Sequence, residues 1–88
     1  MNKQRRKMLA EAIDKLESAV SLMEEAMELI EIAKDEEQDA FDNMPESLQE
    51  TERGQMTQEN VDTMEEVYYN IESYVSDIND AIESIQAL

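Results

Sequence analysis

The 88-residue chain predicts an all-α fold: an antiparallel helical hairpin with a short connector helix, dimerising into a four-helix bundle. Two apolar seams carry this expectation. Leu9, Ile13, Leu16, Val20, Met23, Met27 and Ile30 are spaced 4-3-4-3-4-3, and Val61, Met64, Tyr68, Ile71, Val75, Ile78, Ile82 and Ile85 are spaced 3-4-3-4-3-4-3. Such spacing marks helices packed along a narrow strip. One Gly and one Pro are too few for a turn-rich β fold. The chain reads as a single domain over residues 1–88.

The first helix is expected over residues 3–42. With Ile13 at a and Leu16 at d, the alanines Ala12, Ala19, Ala26, Ala33 and Ala40 all fall at g. Leu22 and Leu29 fall at c, beside g, and Ile32 falls at f. This arc is wider than one partner helix covers. It assigns self-association to Ala12, Ala19, Leu22, Ala26 and Leu29, because two paired hairpins would cover that side.

A connector is expected over 43–56. Lys34 and Glu37 interrupt the seam before Phe41 and Met44 resume it. Pro45 cannot continue a helix but can open one, which predicts a short helix over 45–50. Phe41, Met44 and Leu48 are expected to converge over one end of the bundle. Gly54 is expected to end the connector in a left-handed conformation. The second helix is then expected over 57–87, with Thr57 as N-cap and Met56 packing on Val61 as a staple. Its g positions, Val67, Tyr74, Ala81 and Leu88, are again apolar.

Composition narrows function by exclusion. With no His and no Cys, the chain lacks the usual general bases and thiolate nucleophiles, and no Ser sits in a Gly-framed elbow. Surface carboxylate pairs such as Glu24/Glu28 and Glu65/Glu66 make poor general acids. No catalytic residue is therefore assigned, and no enzyme activity is expected. Asp35, Glu37, Asp39, Asn43 and Glu46 match five positions of a calcium-loop template, but Ala40 stands where the sharp turn needs Gly. No metal site and no cofactor are assigned. The basic N-terminus is followed too soon by Glu11 and Asp14 for a signal peptide, and no run is long enough to span a membrane. A cytoplasmic protein without membrane contact is expected.

Charge is the sharpest functional clue. Lys3, Arg5, Arg6 and Lys7 precede Met8; beyond them three basic residues face all 23 acidic ones, a formal charge of 3 − 23 = −20. Glu17, Glu24, Glu25, Glu28, Glu31 and Asp35 run down the outer face of the first helix. Asp62, Glu65, Glu66, Glu72, Asp80 and Glu83 do the same on the second. Over a bundle about 45 Å long, this amounts to about one charge per 2 Å, near the one per about 1.7 Å of duplex DNA. The expected partner is a protein with a basic surface rather than nucleic acid itself. Tyr69, at a b position, is a candidate aromatic anchor.

The segment Glu36-Glu37-Gln38-Asp39-Ala40-Phe41-Asp42-Asn43-Met44-Pro45-Glu46-Ser47-Leu48-Gln49-Glu50-Thr51-Glu52-Arg53-Gly54 resembles one found in short acidic helical accessory proteins of bacteriophages and mobile elements. The resemblance implies a phage-type setting in the host cytoplasm, where such proteins inhibit host nucleic-acid enzymes or defence systems, anti-CRISPR activity included. It assigns no site residue. The leading expectation is a non-enzymatic inhibitor or DNA-mimicking decoy. The alternative is a structural or adaptor coiled-coil module that binds its partner through apolar seam residues. A calcium-responsive hairpin is a third reading.

Overall fold

The computed structural model describes residues 1–88 and contains helices alone: α1 (Lys3–Asp42), α2 (Glu46–Gln49) and α3 (Glu52–Gln86). Helix α1 begins where the side chain of Asn2 accepts the Arg5 amide at 2.9 Å, satisfying one of the free donors of the first turn. Its end is made without left-handed residues. Asn43 stays right-handed, and Pro45 at φ −55°, ψ 145° turns the chain into α2. The Gln49 side-chain amide then donates to the Phe41 carbonyl at 3.0 Å, tying α2 back onto the end of α1.

Helix α3 returns along α1 in the opposite direction. Asn60 donates to Glu37 across the two helices at 3.1 Å, and at the far end Leu9 and Ile13 share a small cleft with Ile85. The result is a rod of 69 × 15 × 14 Å. Its length exceeds the 45 Å expected above, because both helices run further than their apolar seams.

The seam residues of both helices are half-buried or buried. The core between two helices is nevertheless thin. Val20, Val61 and Ile82 are its buried apolar residues, and no side chain is fully enclosed. Two helices can cover only one side of each other, so the other apolar flank stays open to solvent.

The expected start of the second helix is corrected. Helix α3 begins at Glu52, with Thr51 at the N-cap and its hydroxyl bonded to the Leu48 carbonyl rather than to the helix. Gly54 and Thr57 are interior helical residues, both buried. They continue the a and d columns upstream of Val61 with small side chains. Thr57 therefore does not cap; its hydroxyl donates to the Arg53 carbonyl at 2.9 Å. Gly54 has no positive φ. Its role is close approach: a Cβ there would lie 2.6 Å from the carbonyl carbon and Cα of Gln49, far inside van der Waals contact. Met56 is exposed and forms no staple. Phe41 and Met44 are half-buried, but Leu48 remains 42% exposed and does not join them in a closed end.

Candidate acidic interaction face

The heptad register sorts the surface into two unlike flanks. In an antiparallel pair of helices, e faces e and g faces g on opposite sides of the seam. The e column holds Glu17, Glu24 and Glu31 on α1 and Glu65 and Glu72 on α3. Glu28, Asp35, Asp62 and Glu83 add the b positions, and Glu25, Glu66 and Asp80 the f positions. All twelve carboxylates are exposed. The g flank carries Ala12, Ala19 and Ala26 with Val67, Tyr74 and Ala81, bordered by Leu22 and Leu29.

Little neutralises the acid. The single ion pair in the structure joins Lys34 to its sequence neighbour Asp35 at 3.8 Å. The run of carboxylates is therefore free to meet an outside cation. The chain's net charge of −16 spread over its 69 Å gives about one per 4.3 Å. That is less than half the density of duplex DNA, and it corrects the closer match expected from a shorter bundle.

Where the e columns meet, Glu31, Lys34, Glu65, Tyr68, Tyr69 and Glu72 line a cleft of about 250 Å³. The two tyrosine rings stand edge to face, 5.6 Å between centroids and 90° between planes. The Glu31 carboxylate holds the Tyr68 phenol above its ordinary value of 10.0, with partial burial and Glu72 acting in the same direction. A negative charge on that oxygen is disfavoured beside two carboxylates. The same field, next to an aromatic face, attracts a guanidinium or ammonium group. Tyr69 is exposed beside this cleft, so the aromatic and acidic candidates come together at one place. Sequence spacing did not single out Tyr68 as part of it, because an a-position tyrosine reads as core. Its contact with Glu31 depends on the antiparallel pairing.

The calcium-template residues do not form a loop. Asp35, Glu37 and Asp39 lie inside α1, where a rigid helix cannot wrap an ion. No helix is long and apolar enough to cross a membrane. The chain matches no protein family, no characterised protein and no solved structure.

Proposed function

We propose that this chain is a non-enzymatic acidic interaction protein, an inhibitor or nucleic-acid-mimicking decoy that occupies a basic surface on another protein. The observation that carries the reading is the array of exposed carboxylates on a helical rod with one local ion pair. Such an array presents charge at fixed spacing, as a phosphate backbone does, and steers basic partners toward it. The Tyr68–Tyr69 cleft supplies a docking point for an Arg or Lys side chain. The phage-type context implied by the connector makes a nucleic-acid-binding or defence protein of a host cytoplasm the target class. Direct binding to nucleic acid is disfavoured by like charge.

Single exposed charges contribute little, so function resides in the array. A one-site reversal, Glu28→Lys, weakens binding to a basic nucleic-acid-binding protein by less than about tenfold. Reversing Glu24, Glu28, Glu31 and Asp35 together abolishes binding while circular dichroism stays helical, because none of the four lies at a or d. DNA competes for the same target. Binding that survives both the four-site reversal and high salt would replace this reading.

A specific observation also supports self-association. Leu22 and Leu29 are 66% and 68% exposed, and Val67 and Tyr74 lie open on the same flank. We propose that Ala12, Ala19, Leu22, Ala26 and Leu29 form a homodimer contact completing a four-helix bundle. The adaptor alternative instead has a partner engage the apolar seam residues, which the hairpin already half-buries or buries.

A further inference from the structure

The open flank has an internal symmetry that selects what covers it. Read along α1, the c column is Met8, Lys15, Leu22, Leu29, Glu36 and Asn43. Reversed about a point between positions 25 and 26, it complements itself: Leu22 meets Leu29, and Lys15 meets Glu36. A slide of one heptad either way destroys the match, placing Lys15 against Leu29 or Asn43 and Glu36 against Met8 or Leu22. The alanine column is centred at the same level on Ala26, which lets two backbones approach closely.

Helix α3 obeys the same centre. Glu37 bonds Asn60, and Glu31 lies beside Tyr68, so the level of residues 25–26 faces about 72–73 on α3. There the g and c columns pair Val67 with Ala81, Tyr74 with itself and Asn70 with Asp77, about midpoints of 74 and 73.5. One two-fold axis therefore serves both helices to within about one residue, or about 2 Å of rise. It also falls near the middle of the rod: the same pairing sets Glu52, the start of α3, opposite about residue 46, and the midpoint between that level and Lys3 lies within about one residue of this axis, so two copies overlap along nearly their whole length.

We propose that two copies of this chain pack through this flank as a two-fold dimer. In it, α1 lies antiparallel on α1, Ala26 sits at the axis, Leu22 interlocks with Leu29, and Lys15 pairs with Glu36 at both edges. This rests on the self-association proposed above and fixes its orientation and register.

Charge and area both favour a second copy as the occupant. On a chain of net charge −16, the c and g positions carry Arg5, Lys15 and Arg53 against Glu36 and Asp77, so this flank is the one long surface without net acid. Lys15 and Glu36 are both exposed and have no ion partner within the chain. The accessible surface is 6645 Å², whereas a compact protein of this size exposes about 5,300 Å². Covering that excess on both copies removes about 2,700 Å² in total, within the range of permanent dimers. The pairing also acts on function: two overlapping rods double the charge per unit length to about one per 2.2 Å, close to the one per about 1.7 Å of duplex DNA.

Sedimentation of the full chain and three charge variants, with oxidative cross-linking of two cysteine variants, tests the assembly. Lys15→Glu and Glu36→Lys each place like charges at both edges and weaken dimerisation about tenfold. The double exchange Lys15→Glu/Glu36→Lys restores it to within about threefold. Ala26→Cys, in a chain with no native cysteine, gives a disulfide-linked dimer on oxidation, whereas Ser76→Cys, exposed at a b position on the acidic flank, does not. A monomer at all accessible concentrations would overturn the dimer and its register together. A dimer in which the double exchange fails to rescue and Ala26→Cys does not cross-link would overturn the register alone. Neither outcome bears on the carboxylate reversals, which read the acidic face.

Discussion

Gly54→Ala separates the two roles a helical glycine can have. In a solvent-exposed helix interior, the substitution stabilises by about 1 kcal/mol through backbone entropy and propensity. At position 54 the new methyl meets the backbone of Gln49. Relief requires α2 or the first turn of α3 to move by nearly 1 Å, and Gln49 resists because its side chain is bonded to the Phe41 carbonyl. Overpacking of this kind costs about 1–3 kcal/mol. Set against the propensity gain, the net loss is up to about 2 kcal/mol, or a fall in Tm of up to about 15 °C for a domain of this size. Thermal unfolding at one fixed protein concentration reads it, with Gln55→Ala on the exposed neighbouring site as the propensity control. A rise in Tm for Gly54→Ala would show that α2 is not held against α3, and would return Gly54 to a merely permissive role.

Two other perturbations probe the elbow and the acidic cleft. Phe41→Ala, at a half-buried ring, is expected to destabilise by about 2 kcal/mol, while Leu48→Ala costs less than about 1 kcal/mol because that side chain is largely in water; equal effects in chemical denaturation would contradict the open elbow. Tyr68 gives a pH signature. Its folded-state pKa lies above the unfolded 10.0, so above pH 10 the unfolded chain releases this proton first and folding stability falls as pH rises through that window. Phenolate absorbance in a Tyr69→Phe/Tyr74→Phe background isolates the titration, and Glu31→Gln should move it back toward 10.

Much of the architecture was legible because heptad spacing is a direct record of helix packing. The seam residues from Leu9 to Ile30 and from Val61 to Ile85 line the contact. Most of the errors about the helices gather at one place, residues 51–57. Gly54 and Thr57 occupy a and d positions, but neither is apolar, so a search for hydrophobic periodicity stops at Val61. Gly is also the common left-handed terminator and Thr a common N-cap, and local rules favoured those roles. What decided otherwise was tertiary: α3 passes so close to α2 that only Gly fits. The polar pair Glu37–Asn60 was hidden for the same reason. Glu37 reads as a break in the seam until its partner, 23 residues away, is known. For the acidic face, charge was plain in composition, whereas its spacing depended on rod length, and the Tyr68 cleft depended on how e columns from two helices meet.

The separation of flanks has an energetic logic. Glu31, Glu65 and Glu72 converge on one side of the seam, and like charges held there oppose the closure of α1 on α3. With three buried apolar residues, the two-helix core is a weak counterweight for a chain of net charge −16. Burying the g and c flank adds apolar contact on the side that carries almost no acid, so it strengthens the fold without bringing the carboxylate columns together. In the proposed dimer and decoy, folding would depend on a, d, g and c, and partner binding on b, e and f. Substitutions in the second set can vary binding over a wide range at nearly constant stability, and added salt should raise Tm by screening repulsion while weakening the partner complex. A protein held together by surface ion pairs would lose stability under the same treatment.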